Sequence, residues 1–396
     1  MSRQPSALKL FLVAGEHSGD QLGGKLIPAL RDMSKRPLLI SGVGGQAMAA
    51  QDCDSLFPLS EIAVMGPIAI LKRLRTIVRR VHQTVDAAVE MNPHALVILD
   101  SPEFTHAVAK RVRQRMPDLP VIDYVSPSIW AWRPGRAKKM RGYINRVLAI
   151  LPFEPEAHAR LGGPECTYVG HPLIERLDWI KALDTRKMSA SLKLSGKKPV
   201  IAVLPGSRTN EIKRMMPVYG ETLDRIVKRS APVEVVMPII PDTEQLVRQE
   251  LVNWPVQPHL ILGEEEKFTA FKLADAALAT SGTVTLELAL AGTPMVVGYH
   301  TEFIVAMFRW MLRAHSIVLP NLILGENLFP EFIQEECTPD ALSNALLPLL
   351  DMSSPERKAQ IKALKGIGRK MRLVQGTPSQ KAAGIILNLA QRNLTS

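Results

Sequence analysis

The chain has 396 residues, beyond the roughly 250 to 300 at which a single hydrophobic core stops growing, so its length predicts two domains. A hydrophobic fraction of 46% with 22% charged residues is that of a folded protein, and no stretch supplies the roughly 18 uninterrupted apolar residues of a membrane span. The net charge of +11 predicts attraction to polyanions, whether nucleic acid, anionic lipid or phosphorylated substrate, without choosing among them, while three widely separated cysteines exclude a zinc spacing or a redox pair and suit a reducing compartment.

The first apolar run, residues 8–13, leads straight into Gly15, Glu16 and Asp20 without the apolar core and cleavage site of a secretory signal, which predicts a cytoplasmic protein. Further short runs rich in Val, Ile and Leu at 37–40, 95–99, 120–125 and 146–151 alternate with longer amphipathic segments, the pattern of βαβ units around a parallel sheet. A second series begins at 200–204 and continues through 233–237, 260–262, 276–279 and 295–297. The division falls between 172 and 198, where Gly196-Lys197-Lys198-Pro199 punctuates the start of the new sheet. From Thr338 onward the pattern turns helical and polar, with a strongly basic stretch at 358–372. No solenoid repeat interrupts this α/β organisation.

Ligands of open α/β sheets bind beyond the carboxyl ends of the strands, so the loops there carry the candidate chemistry. Gly15-Glu16-His17-Ser18-Gly19-Asp20 is a glycine-containing turn opening a helix, yet it is not a Gly-x-Gly-x-x-Gly and no acidic residue follows at the dinucleotide offset. Asp100, after four apolar residues, would reach a crevice as a general base, or else Asp100 or Ser101 caps a helix that has Pro102 at its first position. Gly206-Ser207-Arg208 offers backbone amides and a fork-shaped cation to a diphosphate, or an ordinary salt-bridged turn. Ser281-Gly282-Thr283 repeats that chemistry, and Glu287 one turn later could accept both hydroxyls of a ribose or simply favour the helix start. Pro320-Asn321 and Glu331 to Gln334 add amides and a carboxylate to the same half. Asp52-Cys53-Asp54 reads as a solvated turn, and none of the nine histidines forms a metal-ligand pair on a helix.

The segment 64–80 opens with Met65, Ile68 and Leu71 and continues with Arg75, Arg79 and Arg80, a basic amphipathic helix suited to a membrane surface; Leu71, Leu74, Ile77, Val78 and Val81 would equally make a core-facing stripe. Residues 303–315 raise the same question more weakly.

Taken together, Gly15-Glu16-x-Ser18-Gly19-Asp20, Ser126-Pro127-Ser128-Ile129-Trp130-Ala131-Trp132-Arg133, Gly170-His171-Pro172, Pro205-Gly206-Ser207-Arg208, Ser281-Gly282-Thr283-x-Thr285-Leu286-Glu287 and Pro320-Asn321 resemble the lipid-A-disaccharide synthases along nearly the whole chain. The resemblance implies a GT-B fold, two Rossmann-like domains facing an interdomain cleft: 1–172 for acceptor and catalysis, 173–340 for the UDP-sugar, and helices in 341–396 packing back or exchanged in a homodimer. It implies inverting transfer from UDP-2,3-diacylglucosamine to 2,3-diacylglucosamine 1-phosphate with no metal and no cofactor. Asp100 would be the base, with Ser18, Gly19, Asp20, Trp132, Arg133, Gly206, Ser207, Arg208, Ser281, Gly282, Thr283, Glu287 and Asn321 binding substrate. Met65, Ile68, Leu71 and Arg75 would meet acyl chains or the cytoplasmic leaflet of the inner membrane. A peptidoglycan N-acetylglucosaminyl transferase would share the nucleotide loops. A nucleic-acid partner is not expected, because no interleaved aromatic and basic RNA motif or zinc finger is present.

Overall fold

The computed structural model describes residues 6–63, 67–230, 232–300 and 314–395. Contacts divide the chain into two compact units, Met1–Pro172 with Leu373–Ser396, and Leu173–Arg372.

The first unit holds six parallel strands, β1 (Leu8–Ala14), β2 (Leu38–Val43), β3 (Ala95–Leu99), β4 (Val121–Tyr124), β5 (Arg146–Ala149) and β6 (Glu165–Tyr168), in the order β2-β1-β3-β4-β5-β6. Side chains alternate across a strand, so Leu8, Leu10 and Leu12 pack with Leu26 and Leu30 on one face while Phe11 and Val13 pack with Val85 and Val108 on the other. Because helices cover both faces, the central strand β3 is apolar throughout and β1 nearly so, rather than alternating. The last helix, Pro378–Thr395, closes the first of these faces with Ala383, Ile386 and Ala390.

The second unit repeats the plan with β7 (Val200–Leu204), β8 (Glu234–Pro238), β9 (His259–Ile261), β10 (Ala276–Thr280), β11 (Met295–Tyr299) and β12 (Glu331–Ile333), ordered β12-β11-β10-β7-β8-β9. Leu342 and Leu346 of the helix Pro339–Leu350 join Met216, Tyr219 and Leu223 in its core. Gln360 of the helix Pro355–Met371 accepts from the Met295 amide at 2.8 Å and donates to the Met295 carbonyl at 3.1 Å, fixing the start of β11. Of the helices after Thr338, two are grouped with the second unit and the last with the first.

Strands β6 and β12 have no counterpart in the sequence expectation. Glu165-Cys166-Thr167-Tyr168 mixes polarities and is only partly buried, and β12 is three residues at a sheet edge, so neither carries an apolar run. Within each sheet the strand order reverses once, between β1 and β3 and between β7 and β10. Those two points are where an open α/β sheet leaves a crevice at its carboxyl edge. No helix among the described residues is long and apolar enough to cross a membrane.

Gly42 lies inside β2, where a Cβ would stand 1.7 Å from the Leu12 carbonyl oxygen of the neighbouring strand. Backbone cannot yield there without breaking the β1–β2 ladder, so Gly42→Ala is expected to destabilise the protein by about 3 kcal/mol or more, read from the urea midpoint.

Candidate active site

In the second unit, β7 and β10 are neighbours with Leu204 opposite Ala279, so the loops that follow them emerge side by side. Gly206, Ser207, Arg208, Ser281, Gly282, Thr283 and Glu287 line one cavity of about 370 Å³ there. Gly206 has φ 113°, and a Cβ on it would meet Glu211 at 2.7 Å, so only glycine lets the loop turn this tightly. The Ser281 hydroxyl donates to the Ile317 carbonyl at 3.0 Å, and Gly282 precedes the helix Thr283–Ala291, whose first amides have no intrahelical acceptor. Backbone donors at a helix start beside a guanidinium form an anion site.

Two charged residues of this cavity were not singled out from the sequence. Lys267, on the helix Glu264–Leu273, donates to Glu287 Oε1 at 3.0 Å. The Glu211 carboxylate accepts from the Ser207 and Arg208 amides at 3.3 and 3.4 Å and from Arg208 Nη1 at 2.7 Å. No spacing signals Lys267, since it sits on a helix after a different strand; Glu211, three residues after Arg208, had the spacing of a helix-start acceptor.

In the first unit the equivalent reversal brings Ser18 to Asp100, the hydroxyl donating to Asp100 Oδ2 at 2.5 Å. Asp100 Oδ1 accepts from the Ser101 amide at 2.8 Å. Neither Asp100 nor Ser101 caps the helix Pro102–Arg115 with its side chain. Both instead take left-handed backbone angles, φ 56° and 43°. Each carboxylate oxygen retains a lone pair for a further donor, as a proton acceptor requires.

Beyond β4 the chain turns through Val125, at φ 89°, into the loop that carries Trp130, Trp132 and Arg133. Trp132 is 41% exposed, and the Arg133 guanidinium lies 4.2 Å from its ring centroid, a cation over an aromatic face available to ligand. Beneath the loop the Trp130 indole donates to Glu154 Oε1 at 3.3 Å, the Leu151 amide donates to Oε2 at 2.9 Å, and Ser126 Oγ meets His158 Nε2 at 2.8 Å. Burial pushes the Glu154 carboxyl up to about 7 and the His158 imidazole down to about 4.

The family model described as lipid-A-disaccharide synthetase matches residues 10–386. The chain is 47% identical over 389 residues to the lipid-A-disaccharide synthase of Nitrobacter winogradskyi, covering 98% of this chain and 96% of that one. It is 46% identical to the lipid-A-disaccharide synthase of Bradyrhizobium diazoefficiens, covering 96% of each. The chain belongs to the lipid-A-disaccharide synthase family. It is therefore a glycosyltransferase of lipid A biosynthesis. Among solved structures it is similar to the Neisseria meningitidis UDP-GlcNAc 2-epimerase bound to UDP-GlcNAc, with TM-score 0.60, 13% identity and coverage of 97% of this chain and 100% of that one. Similarity to the calicheamicin glycosyltransferase CalG4 has TM-score 0.59 at 16% identity, covering 98% and 99%. At such identities the likeness shows the fold alone, the GT-B arrangement of two six-stranded parallel sheets.

For a lipid-A-disaccharide synthase family member, two of the residues expected to bind substrate have structural work instead. Asp20 is 1% exposed, and its carboxylate accepts from the amides of Gly45, Ala47 and Met48 at 2.7, 2.9 and 3.0 Å, capping the short helix Gln46–Ala49. Asn321 is fully buried: its amide nitrogen donates to Ser316 Oγ and the Phe329 carbonyl, and its oxygen accepts from the Leu328 and Phe329 amides. Both side chains are taken up by neighbouring groups, chiefly backbone, and shape their loops. Gly19 contributes by close approach, since a Cβ there would stand 2.6 Å from the Leu99 carbonyl. Met65 and most of residues 303–315 lie outside the described residues, as do the side chains of Ile68 and Leu71.

Glu154 supplies a pH test of the support beneath the tryptophan loop. Its folded value, about 7, lies above the ordinary 4.5, so the folded state holds a proton that the unfolded chain releases across that window. Wild-type stability then falls from pH 4.5 to 7 relative to a side chain that cannot ionise. Glu154→Gln should gain on the wild type by on the order of 3 kcal/mol over that range, the difference levelling off above it, in urea melts at each pH. A difference independent of pH removes the buried carboxyl from this account.

Proposed function

We propose that the chain condenses UDP-2,3-diacylglucosamine with 2,3-diacylglucosamine 1-phosphate, giving the lipid A disaccharide 1-phosphate and UDP with inversion at the anomeric carbon. Asp100 accepts the proton of the acceptor 6-hydroxyl, whose oxygen attacks the anomeric carbon from the face opposite UDP. The carbon–oxygen bond to the diphosphate breaks, and UDP leaves with the electron pair. One displacement yields a β linkage. Charge growing on the diphosphate is met by the amides of residues 206–208 and 282–284 and by Arg208, so the reaction calls for no metal and no cofactor. Glu287, tethered by Lys267, is placed to accept the ribose hydroxyls.

The observation that carries this reading is the single cavity that unites the Gly206-Ser207-Arg208 and Ser281-Gly282-Thr283 loops with Glu287. Within the first unit, Asp100 stands at the strand-order reversal of its own sheet, ordered by Ser18. The homodimer rests on the family resemblance. Docking on the cytoplasmic leaflet of the inner membrane is supported by the helix Pro67–Met91: Val81 and Val85 turn into the core, while Leu74 and Val78 are 47% and 45% exposed beside the exposed Arg75 and Arg79. A face carrying both apolar and basic side chains suits an anionic interface.

Product analysis with the two diacylated substrates tests the reaction directly, with the lipid acceptor of peptidoglycan synthesis as the control. Asp100→Asn should lower turnover by about 10²- to 10⁴-fold with UDP affinity unchanged. Normal turnover in that variant would remove Asp100 from the base role. Arg208→Ala should weaken UDP binding by roughly tenfold or more in calorimetry, and an unchanged affinity would place the diphosphate elsewhere.

A further inference from the structure

The second unit has another cavity, of about 360 Å³, set between the end of the helix Thr283–Ala291 and the helix Pro355–Met371. Its floor is apolar, with Leu177, Leu290, Ile361 and Leu364. Lys365, Arg369 and Arg372 stand on its rim. The spacing i, i+4, i+7 puts the three cations on one helix face. All three are exposed, and none has an acidic partner among the described residues.

Other cations of the same helix are employed in the fold. Arg357 donates to the Asp275 and Leu349 carbonyls, and Lys370 to the carbonyls of Ile323 and Leu324. The rim cations differ in having no such work. Like charges one turn apart repel, so their clustering costs stability unless an anion sits among them. Favourable interaction with the helix carboxyl end accounts for Arg369 and Arg372 but not for Lys365, nearly two turns inside.

Gly368 lies on the same face. A glycine inside a helix costs about 1 kcal/mol against alanine. Nothing in the fold demands one there, since a Cβ at 368 would meet no atom within 4 Å. A side chain larger than a methyl at this position would project into the cavity between Lys365 and Arg372. The volume falls within the range of small-molecule sites, and a bare phosphate would leave the apolar floor wet.

We propose that this cavity binds the headgroup end of an anionic phospholipid. The phosphate sits among Lys365, Arg369 and Arg372, and the first methylenes of an acyl chain cover Leu290, Ile361 and Leu364. This site is separate from the UDP cavity, with which it shares no lining residue. It does not depend on the reading of the helix Pro67–Met91.

The test uses the full chain and calorimetric titration with dihexanoyl phosphatidic acid below its micelle concentration, beside inorganic phosphate. The short-chain lipid should bind the wild type, and inorganic phosphate should bind at least tenfold more weakly. Lys365→Gln with Arg369→Gln should lose more than tenfold, at about fivefold per charge, and Gly368→Leu should lose more than tenfold with net charge unchanged. Gly368→Ala keeps the cavity and should bind as the wild type with a higher Tm. UDP titration of each variant reads the integrity of the unit, and a variant that fails it is replaced in the comparison by Leu290→Gln at the cavity floor, for which a loss of lipid binding is again expected. Lipid binding unaltered by filling the cavity, or phosphate binding as tight as the lipid's, would overturn the proposal.

Discussion

The close packing of the first helix onto the end of β3 governs the edge of the first sheet that carries Asp100. Gly19 stands so near the Leu99 carbonyl that any side chain would push the helix away. With the helix seated, Ser18 reaches Asp100, and Gly15 passes where a Cβ would meet Ser101 at 2.5 Å. The chain then leaves β3 through two consecutive left-handed residues. That conformation is tolerable for Asp and costly for Ser, and together with Val125 at the end of β4 it concentrates backbone strain along one edge of one sheet. Strain of this kind persists only where surrounding contacts over-determine it. Here those contacts are the Ser18 hydroxyl, the Ser101 amide on Asp100 itself and the Thr105 hydroxyl on the Asp100 carbonyl.

The second unit solves the same geometric problem with glycines. Gly206 and Gly282 each lie two residues beyond neighbouring strands, and the missing side chains open a space lined by backbone donors. The first unit thus carries a carboxylate at its strand-order reversal, and the second a set of donors at its own. This chemical asymmetry arises on two six-stranded parallel sheets, each with one reversal of strand order, through the few residues that follow each strand.

Much of this was legible because buried parallel strands write themselves as apolar runs, and because the loops after them are short enough for their residue types to report chemistry. The limits are equally physical. Asp20 and Asn321 have the same side-chain donors and acceptors as ligand-binding residues, and only the coordinates reveal that backbone amides already occupy them. Lys267 reaches the cavity from a helix that follows β9, so its role depends on packing between segments far apart in sequence. The helix Pro67–Met91 divides the stripe that sequence treats as one: Val81 is buried while Leu74 and Val78 face outward, a difference set by which turn of the helix reaches the sheet.

Glu211 bears on how tightly any diphosphate can be held. Its carboxylate takes the Ser207 and Arg208 amides and the Arg208 guanidinium, the donors that the leaving group needs. An internal acceptor of this kind keeps the loop in its binding shape without ligand, which lowers the ordering cost of association. For the proposed ligand it also competes for the same hydrogen bonds, so the affinity would be the difference between diphosphate and carboxylate in one cradle. Its distances to the two amides, 3.3 and 3.4 Å, are long for charge-assisted bonds, whereas its contact with the guanidinium is 2.7 Å. The amides are therefore the donors most readily surrendered. In the proposed reaction a diphosphate would take them first and leave Arg208 shared with Glu211, whose negative charge would then stand beside the leaving group and limit how strongly the product is retained.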